Sequence, residues 1–137
     1  PDILKVAAII IKDKKLLVVR KKNSDAWISL GGKPENNESQ IETLKREVME
    51  EIGIEIIDVP TLYHESPIEI AEGKNGVTVK IYSYLVNSSQ EPTLNPDDQI
   101  VEYKYISKQN FENHEFRFGS ILEKFVIPKL IQDGLID

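Results

Sequence analysis

Residues 32–54, GKPENNESQIETLKREVMEEIGI, combine the strongest helix signal in the chain with a concentration of carboxylates. Ser39 is a favoured N-cap, and Glu42 three residues later completes a capping-box pattern. Gly53 stands where a left-handed C-cap would end the helix. Between these caps, apolar residues recur at spacings of three and four: Ile41, Leu44, Val48 and Ile52. The sequence therefore predicts one amphipathic helix from Ser39 to about Ile52.

Acidic residues occupy one side of this helix, beside the apolar stripe. Because each residue advances about 100° around a helix, Glu47, Glu50 and Glu51 fall within a single arc. Neighbouring like charges destabilise a helix, and the helix dipole disfavours carboxylates near its C-terminus. A bound cation would offset both effects, and ligands that are all oxygen favour Mg²⁺ or Mn²⁺ over zinc. Taken alone, however, an acidic cluster is more often a solvated helix face.

The spacing of residues across this stretch resembles the Nudix box. That box reads Gly-x5-Glu-x7-Arg-Glu-U-x-Glu-Glu-x-Gly-U, where U is a bulky apolar residue. This sequence matches every defined position, with Gly32, Glu38, Arg46, Glu47, Val48, Glu50, Glu51, Gly53 and Ile54. So many constrained positions make the match far more specific than a lone phosphate-loop pattern. The resemblance implies an α/β fold, a Nudix-type α/β/α sandwich with a mixed β-sheet, in a single domain over residues 1–137.

The resemblance also implies a divalent metal centre, with Mg²⁺ as the expected cofactor and Mn²⁺ as an alternative. The family's box forms a loop–helix–loop that binds metal and hydrolyses a nucleoside diphosphate linked to another group. The ligands expected from this likeness are three carboxylates and a backbone carbonyl of the Gly-Gly pair: Glu47, Glu50, Glu51, and Gly32 or Gly31. Glu47 is also the expected acceptor of the proton from the attacking water.

Further residues are expected to support catalysis by the same likeness. Arg46 would orient a catalytic carboxylate, and Glu38 would form a salt bridge with Arg46. Lys33 would steady the phosphates, although it has an equal claim to be an ordinary loop lysine. Many members of the family take a last ligand or base from outside the box. The acidic candidates for that role here are Glu102, Asp97 and Asp98.

Strands are predicted on both sides of the box. A hairpin is expected from β-branched strands at residues 3–12 and 16–19. A second amphipathic helix is expected over residues 119–132, kinked or divided by Pro128. Other extended segments are predicted at residues 27–30, 54–59, 62–65, 68–71, 77–86 and 100–106, with a turn at residues 72–76. Strands interrupted by two helices favour a mixed sheet with helices packed on it.

Composition excludes several classes of protein. The chain has 137 residues, with 17 Lys and Arg against 23 Asp and Glu, so its formal charge is −6. This surplus of negative charge argues against binding a nucleic-acid polymer, but not against a phosphorylated small molecule bound with a cation. The absence of cysteine excludes disulfides, cysteine-bound zinc and thiol catalysis. The apolar run at residues 6–11 is too short to cross a membrane and no leader precedes it, so a cytoplasmic protein is expected.

The Gly-Gly-Lys sequence at residues 31–33 resembles the MutT-like branch of the family, which hydrolyses 8-oxo-dGTP. Leu30 departs from the proline that commonly precedes the glycine pair. The expected activity is cleavage of a nucleoside triphosphate to a monophosphate and pyrophosphate, by a monomer or a homodimer. Aromatic and polar side chains suited to a base pocket are Trp27, His114, Glu115, Phe116 and Phe118.

Other functions stay open at this point. Pro67 lies near a position where ADP-ribose hydrolases often carry a proline, so ADP-ribose or a nucleotide sugar is an alternative substrate. Hydrolysis of a dinucleoside polyphosphate is another. A non-catalytic module that senses a nucleotide is a third, but such sensors commonly lack one or more of the carboxylates that are intact here.

Overall fold

A computed structural model of the protein describes residues 1–71 and 75–137. Its strands are β1 (Ile3–Ile9), β2 (Ile11–Lys12), β3 (Lys15–Lys21), β4 (Ala26–Ile28), β5 (Leu30–Gly32), β6 (Thr61–Glu65), β7 (Glu69–Ile70), β8 (Thr78–Leu85), β9 (Ile100–Ile106) and β10 (Arg117–Phe118). Its helices are α1 (Gln40–Ile52), α2 (Lys108–Glu112) and a last helical segment at residues 120–132, which contains a π-helical turn (Leu122–Val126) followed by α3 (Ile127–Gln132). No helix in this described part of the chain is both long and apolar enough to cross a membrane.

The strands form two mixed sheets. One has the order β5-β1-β8-β6, with β7 also paired to β8, and the other has the order β10-β4-β3-β2, with β9 also paired to β3. Each sheet contains one parallel pair, β1 with β8 and β4 with β10. The chain passes from the first sheet to the second at Ile10, between β1 and β2. The mixed sheet predicted from the sequence is confirmed.

Helices cover both faces of the sheets. On one face, α1 buries its apolar stripe against residues of β1, β3 and β5. On the other face, the last helical segment packs Leu122, Val126 and Leu130 against Val18 and Trp27. These two apolar clusters make the molecule an α/β/α sandwich, which is the fold class expected from the sequence.

Helix α1 has the boundaries that its local signals predict. The Ser39 side chain accepts a hydrogen bond from the Glu42 amide, and the Glu42 carboxylate accepts one from the Ser39 amide. At the other end, Gly53 has a φ of 67° and donates its N–H to the carbonyl of Met49. A capping interaction of this kind contributes about 1 kcal/mol to helix stability.

Residues 54–59 form no strand, contrary to the prediction. Ile54 and Ile56 are buried, whereas the side chains of Ile57 and Val59 are 75% and 88% exposed. The segment has apolar, β-branched composition, but it has no strand partner in the described part of the chain. Composition alone therefore does not separate it from a true strand.

Two features of the chain after β9 bear on the predictions. The last helical segment is divided next to Pro128, as predicted: a π-helical turn, which ends where Ile127 donates its N–H to the carbonyl of Leu122, is followed by α3 with Pro128 in its first turn. Helix α2 was not predicted, although Ser107 and Asn110 form a reciprocal capping box at its start. The turn predicted at residues 72–76 lies partly outside the described residues.

Candidate active site

The glycine pair on β5 lies against the C-terminal half of α1. Gly31 donates its N–H to Oε1 of Glu51 at 2.8 Å. Its φ is 136°, and a Cβ atom at this position would lie 2.0 Å from the carbonyl oxygen of Val6. Only glycine fits this position without rearranging β1, so the hydrogen bond from strand to helix depends on it.

Arg46 connects the loop before α1 with the carboxylates on the helix. Its Nε and Nη2 donate to the two carboxylate oxygens of Glu38 at 2.7 and 2.9 Å. Its Nη1 donates to Oε1 of Glu47 at 2.8 Å, and Nη2 also donates to the backbone carbonyl of Lys33 at 3.1 Å. The Arg46 guanidinium, helped by the amide of Glu35, holds the pKa of Glu38 down to about 2. Glu38 is therefore ionised at any ordinary pH, and the pair fixes the arginine.

The carboxylate of Glu47 lies directly over the backbone of Gly32. A Cβ atom at Gly32 would come within 2.5 Å of the Glu47 carboxyl carbon. Burial raises the pKa of Glu47, and the hydrogen bond from Arg46 opposes this effect. The arginine thus places a partly desolvated carboxylate beside the glycine pair, where it can act as a proton acceptor.

Glu51 is the most buried of the helix carboxylates, with 6% of the residue exposed. Burial raises its pKa to about 8, and the negative charges of Glu47 and Asp98 add to this effect. The hydrogen bond from the Gly31 amide and the charge of Lys21 act in the opposite direction. Oδ2 of Asp98 is itself buried and has no hydrogen-bond partner. Two carboxylates from different parts of the chain therefore lie close enough for their charges to interact, and Lys21 offsets this repulsion only in part.

The three helix glutamates do not converge on one point. Glu50 has a side chain that is 54% exposed, and its nearest charged partner is Arg46 at 3.4 Å. Within residues 1–71 and 75–137, no group of three or more Asp, Glu or His side chains is close enough together to hold a metal ion. The donor set nonetheless fits a hard divalent cation, because it consists of carboxylate oxygens, and the Glu51 pKa is raised mainly by burial and further by the charges of Glu47 and Asp98.

Glu102, the first candidate for a base outside the box, is part of β9. It pairs in register with Arg20 and accepts a hydrogen bond from Nε of that residue at 2.9 Å. Its sequence neighbour Tyr103 packs into the apolar cluster under α1. Because successive residues of a strand alternate between faces, Glu102 points to the other face. Of the three candidates, Asp98 is the one whose charge acts on Glu51.

Of the five residues expected to form a base pocket, Trp27 lies on β4, and the other four lie on or just before β10, which pairs with β4. Trp27 and Phe118 are buried in the core, and Phe116 meets Trp27 edge-to-face at 6.1 Å between ring centroids. His114 is exposed with a φ of 54°, and the exposed Glu115 accepts a hydrogen bond from Asn110. None of the five lines the cavity that adjoins Gly31 and Gly32.

A cavity that the sequence analysis missed lies between the first sheet and the last helical segment. Its volume is about 140 Å³, and its walls include Lys5, Ala7, Gly31, Ile81, Ser83 and Ser120. These residues are distant in sequence, and only the register of β5, β1 and β8 brings them together. Small residues within otherwise β-branched strands were the one signal that could have indicated it.

Comparison with known proteins identifies the family. The family profile described as the NUDIX domain matches residues 2–125. The chain belongs to the NUDIX family. It is a NUDIX hydrolase acting on pyrophosphate bonds, and enzymes of this family bind nucleotide substrates and generally use a divalent metal. No curated protein sequence matches the chain.

Solved structures show the same fold. A MutT NUDIX hydrolase from Burkholderia pseudomallei is 25% identical, with a TM-score of 0.65 over 76% of this chain and 81% of that chain. A MutT protein from work on Aliivibrio salmonicida and Vibrio cholerae is 20% identical, with a TM-score of 0.70 over 96% of this chain and 98% of that one. A bifunctional NMN adenylyltransferase/ADP ribose pyrophosphatase from Francisella tularensis, complexed with AMP and a manganese ion, is 20% identical, with a TM-score of 0.62 over 98% of this chain and 42% of that one.

The buried carboxyl of Glu51 predicts how the stability of the metal-free NUDIX domain depends on pH. Its pKa rises from 4.5 in the unfolded chain to about 8, so between these pH values the folded state holds a proton that the unfolded state has lost. The free energy of unfolding should therefore fall as the pH rises through this range, by on the order of 3 kcal/mol. Urea unfolding in EDTA measures it, with Glu51→Gln as the reference that lacks the titrating group. Parallel pH profiles for the two proteins would contradict this prediction.

Proposed function

We propose that this NUDIX hydrolase is a Mg²⁺-dependent pyrophosphohydrolase that cleaves a nucleoside triphosphate to a nucleoside monophosphate and pyrophosphate. The observation that carries the proposal is the contact between the glycine pair and the carboxylates of α1, next to the mouth of a largely apolar cavity. Phosphates bound at the glycine pair would place the nucleoside in reach of that cavity. An oxidised nucleotide such as 8-oxo-dGTP is the substrate suggested by the Gly-Gly-Lys sequence.

The residues that would hold the metal are the three helix carboxylates and a backbone carbonyl of the glycine pair: Glu47, Glu50, Glu51, and Gly32 or Gly31. Asp98 is a further candidate, because its buried oxygen has no partner and its charge already acts on Glu51. A divalent cation held there would neutralise the diphosphate and make a water molecule more acidic.

The chain's own residues then divide the remaining work. Glu47, positioned by Arg46 and partly desolvated, is placed to accept the proton of the attacking water. Glu38 keeps Arg46 in place, since it accepts two hydrogen bonds from the guanidinium. Lys33 has an exposed side chain directly after the glycine pair and can contact the outer phosphates of the substrate. Precise positioning and charge stabilisation are the main requirements of phosphoryl chemistry.

A substrate panel tests this function directly. Purified protein is incubated with Mg²⁺ and with 8-oxo-dGTP, unmodified triphosphates, dinucleoside polyphosphates or ADP-ribose, and the released pyrophosphate and phosphate are measured. We expect pyrophosphate from at least one triphosphate and none when EDTA is present. Cleavage of ADP-ribose alone would indicate that the enzyme hydrolyses ADP-ribose or nucleotide sugars instead. Ligand-induced thermal stabilisation without any product would indicate the nucleotide-sensing alternative.

A further inference from the structure

Three small residues lie side by side on adjacent strands and form the floor of the cavity. The register pairs Gly31 with Ala7 across β5 and β1, and Ala7 with Ser83 across β1 and β8. The next residues on the same face of β1 and β8 are the larger Lys5 and Ile81. The row of small residues therefore leaves a hollow of about 140 Å³ under the last helical segment. That space suits a ring system rather than a single water molecule.

Ser83 is the polar group at the floor of this hollow. The residue is 1% exposed and lines the cavity, yet its hydroxyl makes no hydrogen bond with any described residue. On the neighbouring strand, the register partner His64 stacks on Phe125 and makes no hydrogen bond to Ser83. The hydroxyl is not fully enclosed by the protein but opens onto the cavity, so a molecule bound there can supply its hydrogen-bond partner.

The surroundings of Ser83 favour an acceptor group on the bound molecule. The last helical segment begins at the cavity, and its first residue, Ser120, is one of the lining residues. The first N–H groups of a helix lack intrahelical partners and carry partial positive charge. Among the described lining residues none is acidic, and most of the others are aliphatic. The helix N–H groups can only donate, whereas the Ser83 hydroxyl can donate or accept, so a carbonyl oxygen of a heterocycle fits this environment better than an amino group.

We propose that Ser83 is a specificity-determining residue, which donates its hydroxyl hydrogen to a ring carbonyl of the base bound in the cavity. The inference rests on the proposed nucleotide hydrolysis and adds the class of base to it. Bases with a carbonyl at the reading edge, such as hypoxanthine and uracil, are favoured over their amino counterparts, adenine and cytosine. The aliphatic walls contribute burial without selecting among bases.

Two matched nucleotide pairs and one conservative substitution test this role. We would measure kcat and KM for ITP against ATP, and for UTP against CTP, with the wild type and with Ser83→Ala. In the wild type, kcat/KM should be about tenfold higher for the carbonyl member of each pair, which is the ratio that one good hydrogen bond supports. In Ser83→Ala this ratio should approach one, mainly through a higher KM for ITP and UTP.

A stability measurement separates recognition from a structural role. Because Ser83→Ala removes a buried hydroxyl without a partner, its melting temperature should equal or exceed that of the wild type. The exposed Ser89→Ala is the matched control and should leave both the ratio and the melting temperature unchanged. An unchanged base ratio in Ser83→Ala, a wild-type preference for the amino bases, or a lower melting temperature would overturn the role of Ser83 alone. A wild type that cleaves none of the four nucleotides, nor any other triphosphate, would overturn the proposed function and this inference with it.

Discussion

We expect that replacing Glu51 with Gln lowers turnover at least about 100-fold and leaves the fold intact. The amide has nearly the same shape as the carboxyl, and its oxygen can accept the Gly31 hydrogen bond that Glu51 accepts at 2.8 Å. It carries no charge, however, so it cannot serve as an anionic ligand at the place where burial already raises the carboxyl pKa to about 8. The amide also removes the free-energy cost of protonating or burying the carboxylate on folding, so the melting temperature in EDTA should be equal or higher.

The measurement pairs initial rates with Mg²⁺ titrations and thermal melts. Glu123→Gln makes the same chemical change at an exposed position of the last helical segment and should retain full activity. If Glu51→Gln turns over at nearly the wild-type rate, the carboxylate does not participate in metal binding. If instead it melts well below the wild type, the residue is structural and the site must be assigned elsewhere.

Replacing Arg46 with Ala should abolish most activity and also destabilise the protein. The guanidinium donates to Glu38, to Glu47 and to the carbonyl of Lys33, so its removal leaves half-buried acceptors without partners. We expect a rate loss of at least about 100-fold, because Glu47 is no longer held over Gly32. The melting temperature should fall by roughly 5 °C, as expected for the loss of one or two net hydrogen bonds in a small domain.

Arg46→Lys separates the charge of this residue from its geometry. A lysine keeps the positive charge but cannot reach three acceptors with one planar fork, so we expect at least about a tenfold lower rate with a smaller loss of stability. Lys45→Ala, an exposed neighbour on the same helix, should change neither quantity. Full activity in Arg46→Lys would show that positive charge alone is sufficient and that the orientation of Glu47 is unimportant.

Local sequence signals predicted α1 and its caps, because the caps and the apolar stripe are set by residues a few positions apart. The family was likewise predictable, since the box is contiguous in sequence. The spacing did not predict the direction in which each carboxylate points or how deeply it is buried. Glu50 faces Arg46 and solvent, whereas Glu51 is buried against Gly31, although both lie in the same arc of the helix. Burial of individual carboxylates depends on which strand the helix covers.

Nonlocal pairing explains what could not be predicted. The hollow over Ser83 exists because β1 aligns with both β5 and β8, a register that no local pattern encodes. Glu102 was a reasonable candidate from its chemistry, but strand alternation turns it towards Arg20. The aromatic residues proposed for a base pocket were chosen for their composition, and two of them, Trp27 and Phe118, are part of the core. Composition predicts which side chains can bind a base, and tertiary structure decides which of them can reach one.

The parallel pairing of β1 with β8 has a consequence for how the protein is made. Residues 3–9 pair along their whole length only with residues 79–85, although three of them also pair with β5, and β3 pairs with β9 still later in the chain. Such distant pairings give a high contact order and slow folding, in the range of milliseconds to seconds. During synthesis the ribosome must release more than half of the polypeptide before β1 can pair with β8. The nascent N-terminal half therefore exposes apolar β-branched strands that can aggregate. Chaperones that bind such strands would act at this stage.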